Sequence, residues 1–231
     1  MSVLYDQVVP GRFIARPNRF VAQVQVPGQE VTAHVKNTGR CEELLWPGSR
    51  VILNRAQRPG RRTAFDLVAV YKGEMLVNID SQAPNQVAWD YLRARFPGAV
   101  IRREVVYGHS RLDFHVTDGE MSLFVEVKGC TLEEEGLALF PDAPTQRGLK
   151  HLETLTKAVA EGHQALALFI IQMRPVTVFA PHDRMHPAFS QALRQAAEAG
   201  VEVVAYDCVV AEDGMALGAP VPVILEGERA S

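Results

Sequence analysis

Two acidic residues and a lysine stand at a spacing that suits chemistry on phosphate esters. Asp113 and Glu126 are thirteen residues apart, and Lys128 follows Glu126 by two. Residues two apart project from the same face of a strand, so Glu126 and Lys128 share a face. A two-residue turn predicted at 118–119 places Asp113 opposite Phe124, with Glu126 as its diagonal neighbour, about 7 Å away between Cβ atoms. The spacing therefore predicts two carboxylates that hold one divalent cation.

This arrangement suits the hydrolysis of phosphodiesters. Carboxylate oxygens are ligands for Mg²⁺ or Mn²⁺, and such a cation acidifies a bound water and neutralises charge that develops on phosphorus. Lys128 would orient the attacking water or stabilise the pentacovalent state. The alternative is the solvated face of a half-exposed hairpin. Against it, residues 125–128 lie between helical segments, where a sheet is usually covered on both faces.

The first 81 of the 231 residues predict a small β-barrel of the OB type. About five short strands and no clear helix are expected there. The predicted strands cover residues 20–26, 31–35, 51–53, 64–71 and 75–79.

Residues 82–231 predict an α/β domain with a mixed sheet. The periodicity indicates helices over 86–96, 145–161 and 187–199. Strands are expected over 99–107, 111–117, 121–128, 164–172 and 201–210. Strands and helices in this order are typical of an α/β sheet of mixed direction. The predicted domains are therefore 1–81 and 82–231.

Charge is divided unevenly between these predicted domains. Residues 1–80 carry 11 Lys and Arg against 7 Asp and Glu, whereas residues 81–231 carry 13 against 20. A net charge of −3 excludes a wholesale polycation, so a surface for DNA must be a local patch. The residues predicted to bind nucleic acid in the barrel are Arg12, Arg16, Arg19, Lys36, Asn37 and Arg40.

Other classes of protein find little support in the sequence. Three separated cysteines argue against a disulfide framework and indicate a reducing cytoplasm. The longest apolar run, 165–171, is too short for a membrane span, and no signal peptide is expected. The nucleotide-binding motifs GxxxxGK[ST] and GxGxxG are absent from the sequence, as is the serine-hydrolase motif GxSxG. We expect a cytoplasmic protein with no small-molecule cofactor and no membrane partner.

Four segments of the sequence resemble one known family. The spacing of Asp113, Glu126 and Lys128 resembles the D…ExK signature of PD-(D/E)xK nucleases. The segments HVKNTG (34–39), SRLDF (110–114), VEVK (125–128) and FPDAPTQRGLKHL (140–152) together resemble the sugar fermentation stimulation protein A family, over nearly the whole chain. That resemblance implies an OB-fold domain followed by a nuclease-like domain, DNA binding, and a link to the control of sugar (maltose) metabolism genes.

Four further residues are candidates for the same site. The resemblance places the family's helix carboxylate at Asp90 and phosphate-contacting residues at Gln146 and Lys150, which stand four apart on one side of a helix. A solvated first turn is the alternative for Gln146 and Lys150. Glu104 could complete the acid cluster or form a surface salt bridge.

Two functions remain open for the chain. One is a DNA-binding protein with a Mg²⁺- or Mn²⁺-dependent nuclease site, and the other is a non-catalytic DNA-binding regulator of sugar (maltose) metabolism. The intact acids and lysine favour the nuclease, because a decayed site would be expected to lose its charges. An enzyme that acts on sugars themselves has no support in the residues.

Overall fold

The computed structural model describes residues 2–37, 39, 41–56 and 61–226. The first seven strands are β1 (Val3–Leu4), β2 (Val8–Asn18), β3 (Val21–Val26), β4 (Gln29–Val35), β5 (Arg50–Arg55), β6 (Phe65–Lys72) and β7 (Met75–Asn78). Six of them form a sheet in the order β4-β3-β2-β5-β6-β7, and a parallel pairing of β4 with β6 closes it. The predicted OB-like barrel is therefore confirmed.

The longest barrel strand, β2, lies where no strand was predicted. It spans eleven residues and includes Pro10 and Pro17, which lack the N–H that a strand needs on its paired side. Breaks in the β2–β3 register between Phe13 and Asn18 accommodate the second proline. The prolines concealed this strand because they weaken the alternating pattern by which strands are predicted.

The remaining elements form the second domain. They are α1 (Ala83–Arg95), β8 (Val100–Tyr107), β9 (Ser110–Asp118), β10 (Met121–Cys130), β11 (Leu132–Glu134), β12 (Leu137–Phe140), α2 (Gln146–Ala160), β13 (Gln164–Ile171), β14 (Val178–Pro181), α3 (Pro187–Glu198), β15 (Glu202–Ala211) and β16 (Gly214–Val221). Among the described residues, no helix combines the length and apolar composition needed to cross a membrane.

A seven-stranded mixed sheet is the centre of this domain. Its order is β1-β16-β15-β13-β10-β9-β8, with parallel pairing only within β10-β13-β15. Val87 and Leu92 of α1 pack on one face with Val125. Leu155 of α2 and Leu193 of α3 belong to the core on the other face. The expected α/β domain with a mixed sheet is confirmed, and its interior strand β10 is covered on both faces.

The predicted register of the β9–β10 hairpin is wrong by two residues. Asp118 pairs with Met121 and Val116 with Leu123, so the turn lies at Gly119 and Glu120. Gly119 has a φ of +55°, which glycine adopts without strain at the first position of a tight hairpin turn. A two-residue shift returns every side chain to the same face, so the apolar pattern fits both registers equally.

Several contacts join the two parts of the chain. β1 pairs with β16, so the first residues extend the sheet of the second domain. Gln172 donates through Nε2 to the main-chain oxygen of Asn78, to Asn78 Oδ1 and to the main-chain oxygen of Asp80, at 3.0, 3.1 and 3.2 Å. The division at residue 82 stays a prediction, and these contacts show that the two parts share buried polar groups.

Candidate metal centre

Asp113 occupies the point where β9 and β10 separate. The ladder between β9 and β10 ends at the pair of Phe114 with Val125, and Asp113 is the next residue of β9 beyond that pair. Beyond it, Asp113 Oδ2 accepts a hydrogen bond from the Val127 amide at 2.8 Å, and Oδ1 accepts from Asn85 Nδ2 of α1 at 2.9 Å. The carboxylate thus takes a main-chain donor of β10 that a continued ladder could have used.

Glu126 lies beside this position on β10 and faces α2. It is only 3% exposed, and its Oε1 is 2.5 Å from Lys128 Nζ and hydrogen bonded to His151 Nδ1. Arg147 Nε donates to His151 Nε2 at 3.4 Å, which leaves Nδ1 as the donor to Glu126. Lys128 Nζ is also 3.4 Å from His151 Nδ1. One oxygen of Glu126 therefore receives two polar partners.

The two carboxyl groups have opposite pKa shifts. Burial, and then the charge of Glu126, raise the pKa of Asp113 above its ordinary value, against the hydrogen bonds from Val127 and Asn85. Burial alone would also raise the pKa of Glu126, but the hydrogen bond from His151 and the charge of Lys128 outweigh it and lower that pKa. The surroundings therefore favour the charged form of Glu126 and disfavour that of Asp113.

The unused oxygen of Glu126 supports a cation at this place. Glu126 Oε2 is buried and has no hydrogen-bond partner among the described residues, although a buried carboxylate oxygen normally has one. Within the described part of the chain, no three His, Cys, Asp or Glu side chains are grouped so that they could hold a metal. Two carboxylates with water in the other positions suit Mg²⁺, which retains several waters. Asp113 and Glu126 thus fit a hard divalent cation.

A basic cleft borders this centre. It has a volume of about 380 Å³, and its lining consists of His109, Ser110, Arg111, Gln146, Arg147, Lys150 and His151. Gln146 and Lys150 are exposed at the start of α2 and are thus brought into one cleft with His151, which contacts Glu126. Asp90 is exposed on α1. Glu104 lies on β8 opposite Asp113, between the pairs of Arg103 with Phe114 and Val105 with Leu112, but its carboxylate forms an ion pair with Arg111 at 2.8 Å.

The barrel residues predicted to bind nucleic acid differ in their exposure and in the contacts that their side chains already make. Arg12 and Arg19 are exposed, with Arg12 Nη1 donating to the Gly48 oxygen and the Arg19 guanidinium 4.6 Å from the centre of the Phe20 ring. Arg16 Nη2 donates to the main-chain oxygens of Arg19 and Asn37 at 2.8 Å. Lys36 is paired with Asp80, and Asn37 Oδ1 accepts from the Gly39 amide. Arg40 lies outside the described residues.

Sequence reasoning gave no role to two residues that contact the candidate centre. Asn85 orients Asp113, and His151 contacts Glu126 and Lys128. A signal for His151 was available, because it lies on the buried side of α2 with Leu152 and Leu155, where an imidazole needs a polar partner. Asn85 had no comparable signal, since a polar residue in a first helical turn is ordinary.

Asparagine in place of Asp113 is expected to raise the free energy of unfolding of the metal-free protein at pH 7. The folded-state pKa of Asp113 is raised, so its ionisation destabilises the fold as pH increases through that pKa. The gain should vanish below about pH 3.9, the ordinary pKa of Asp, because the group is then protonated in both states. Urea unfolding in EDTA between pH 3 and 8 measures it. Asp118→Asn, an exposed change on the same strand, should give no such gain.

The architecture and the site together define a class of protein. An OB barrel is joined to a nuclease-like α/β domain, and the acids and lysine of a D…ExK arrangement meet on its central hairpin. Family models agree with this architecture. "SfsA N-terminal OB domain" matches residues 14–79, and "Sugar fermentation stimulation protein RE domain" matches residues 82–214.

The chain belongs to the sugar fermentation stimulation protein family. A sugar fermentation stimulation protein homolog of Desulfitobacterium hafniense (strain Y51) is 49% identical over 216 residues, which cover 93% of this chain and 95% of the relative. A homolog from Alkaliphilus oremlandii is 47% identical over 224 residues, which cover 93% and 95%. SfsA of Pyrococcus furiosus, solved in complex with Ca²⁺, matches with a TM-score of 0.86 and 28% identity over 96% of this chain and 97% of that one.

Proposed function

We propose that this protein is a DNA-binding phosphodiesterase that uses Mg²⁺ or Mn²⁺ at Asp113 and Glu126. The observation that carries the proposal is the buried, unpartnered Oε2 of Glu126 beside a second carboxyl group whose pKa is raised. A divalent cation would satisfy the orphaned oxygen and favour the charged form of both acids. The Ca²⁺ complex of the Pyrococcus furiosus relative supports the proposal, because Ca²⁺ is also a hard cation that takes oxygen ligands.

The protein's own side chains divide the work at such a site. A divalent cation held there would lower the pKa of a bound water and polarise a phosphoryl oxygen. Lys128 places a positive charge beside Glu126, where it would stabilise negative charge on the attacked phosphate. His151 fixes the Glu126 carboxylate through one oxygen and leaves the other free. Gln146 and Lys150 would hold the phosphate backbone in the basic cleft.

A second candidate function is DNA binding without catalysis, in a regulator of sugar (maltose) metabolism. One observation favours it, namely that Lys128 is engaged in an ion pair with Glu126 and also lies near His151. A lysine held in this way contributes to the fold whether or not a phosphate is attacked. In this case the cleft and the barrel would bind DNA, and the carboxylates would be a remnant with a structural role.

One assay separates the two functions. End-labelled single-stranded, duplex and branched DNA are incubated with the full chain in Mg²⁺, in Mn²⁺ and in EDTA, and both binding and cleavage are measured. The nuclease predicts cleavage in either metal and none in EDTA. Binding without cleavage of any of the three substrates, in either metal, would contradict the nuclease and support the regulator.

The barrel arginines are expected to supply much of the DNA affinity. Each phosphate contact to duplex DNA contributes about −0.9 to the slope of log K against log salt concentration. Replacing Arg12 and Arg19 together by alanine should therefore flatten that slope by about 2, if each arginine meets one phosphate. Fluorescence anisotropy across a salt series measures it. Arg93→Ala, which removes an exposed arginine of α1, is the matched control. If this change flattens the salt slope as much as the loss of one barrel arginine does, the barrel is not the binding module.

A further inference from the structure

A cavity lies where the barrel meets the second domain, next to the candidate metal centre. Its volume is about 290 Å³. The lining includes Asn37 and Gly39 after β4, Gly129 and Thr131 at the end of β10, residues 139–145 before α2, and Gln172. Two lining residues that neighbour site residues in the sequence place the cavity beside the candidate metal centre. Gly129 directly follows Lys128, and Pro84, also in the lining, directly precedes the Asn85 that binds Asp113.

Two hydrogen-bond acceptors face this cavity. Gln172 is 2% exposed, and its Nε2 is engaged with Asn78 and Asp80, which leaves its amide oxygen against Gly129. A Cβ at position 129 would come within 2.4 Å of that oxygen, so only glycine leaves the space open. Asp142 presents the second acceptor, and a Cβ at position 39 would lie 2.8 Å from its Oδ2. Burial raises the pKa of Asp142 against hydrogen bonds from its own amide and from the Ala143 amide, so a further N–H donor would favour its charged form.

Part of the remaining lining is apolar. Phe140, Pro84, Pro141 and Pro144 belong to it, alongside the hydroxyl residues Ser81, Thr131 and Thr145. Phe140 is fixed from behind by edge contacts with Phe169, at a centroid distance of 5.5 Å. Among the described residues that line the cavity, none is Lys or Arg. A phosphate or carboxylate ligand would therefore meet no cationic partner among these described lining residues, whereas a planar uncharged ring would meet both apolar side chains and acceptors.

We propose that this cavity binds one nucleobase that carries an exocyclic amino group, taken from an unpaired nucleotide of DNA whose backbone lies at the metal centre. Amino groups and ring N–H groups are the donors that the acceptors of Gln172 and Asp142 require, and thymine lacks the amino group. Ligand pockets span about 300 to 1,000 Å³, so this one, at the lower limit, suits a single base. Enzymes that extrude a base pay for unstacking by such contacts. The inference rests on the proposed action on DNA.

Binding is measured in EDTA with the full chain and short labelled thymidine oligonucleotides that contain one central guanine, adenine, cytosine or abasic site. The amino-bearing bases should bind about tenfold more tightly than the all-thymidine and abasic probes, because a hydrogen bond to a charged group is among the stronger ones. Asp142→Asn and Gly39→Ala should each remove most of this preference, the first by loss of charge and the second by displacing Asp142 Oδ2 and the neighbouring Asn37 Oδ1, which would lie 2.8 and 2.9 Å from the new Cβ. Glu198→Gln, which removes one exposed charge on α3, should leave the preference intact.

The outcomes distinguish this cavity from the nuclease. Equal affinity for all probes, a preference that survives in both variants, or no measurable binding would each overturn the base site. Cleavage by the wild type in Mg²⁺ is recorded separately. Cleavage without a base preference would support the proposed nuclease and contradict the base site. A base preference without cleavage would support the base site and contradict the nuclease.

Discussion

Alanine in place of Asp113 will abolish Mg²⁺-dependent cleavage of DNA, with a loss of more than about 100-fold. Even the outer partners of a metal site cost about 10- to 100-fold when they are mutated, and Asp113 is a proposed ligand. The loss should appear in the single-turnover rate constant at saturating metal. Metal-free DNA binding should not weaken, and removal of a negative charge near the phosphates should strengthen it slightly.

Two further variants make this result specific. Asp113→Asn retains the size of the side chain and a hydrogen bond from Val127 and should be equally inactive, so a defect of Asp113→Ala cannot then be assigned to a lost fold. Asp118→Ala changes an exposed aspartate of the same strand and should cleave like the wild type. Cleavage by either Asp113 variant at more than about a tenth of the wild-type rate would contradict the metal site.

Methionine in place of Lys128 is expected to lower the free energy of unfolding by about 3 kcal/mol at pH 7. Removing one partner of a buried ion pair leaves the other charge uncompensated, at a typical cost of about 3–5 kcal/mol. The side chains of Glu126 and Lys128 are 4% and 15% exposed, and His151 remains as a partner of Glu126, so the lower end of that range applies. Urea unfolding in EDTA measures the change.

A double-mutant cycle identifies the cause of that loss. Glu126→Gln combined with Lys128→Met should be less destabilised than the sum of the single variants, because the loss of the lysine then leaves no charge on residue 126 unpaired. Lys150→Met, an exposed change on α2, should alter stability by less than about 0.5 kcal/mol. Additive losses in the cycle would show that the two side chains are not energetically coupled.

The fold was predictable wherever one periodicity dominated a segment. The helix over 145–161 was expected and is observed as Gln146–Ala160, because a continuous apolar stripe marks it. The strands that were missed lack such a pattern. β2 contains two prolines, and β16 contains two glycines and a proline. β1, β11, β12 and β14 are only two to four residues long. Two of the short strands form with partners distant in the chain, since β1 pairs with β16 and β14 pairs with β12.

The candidate site was predictable in its residue types but not in its geometry. Asp113, Glu126 and Lys128 were identified from their spacing and resemblance, and the structure places them around one point of β10. The separation of β9 from β10 after Phe114 could not be foreseen, because it depends on a main-chain hydrogen bond to the Asp113 carboxylate. The approach of His151 likewise depends on how α2 packs on the sheet, which no local pattern encodes.

The buried amides between the two parts of the chain have a consequence for how the protein unfolds. Gln172 and Asn78 satisfy one another across the junction, and β1 belongs to the sheet built by the other end of the chain. Opening the junction would leave these amides without partners, at about 1–3 kcal/mol for each group, and would expose the edge of β16. Heating should therefore give one calorimetric transition for both parts. A change that loosens the barrel would then lower the population of intact metal centres as well, although it lies far from them in the sequence.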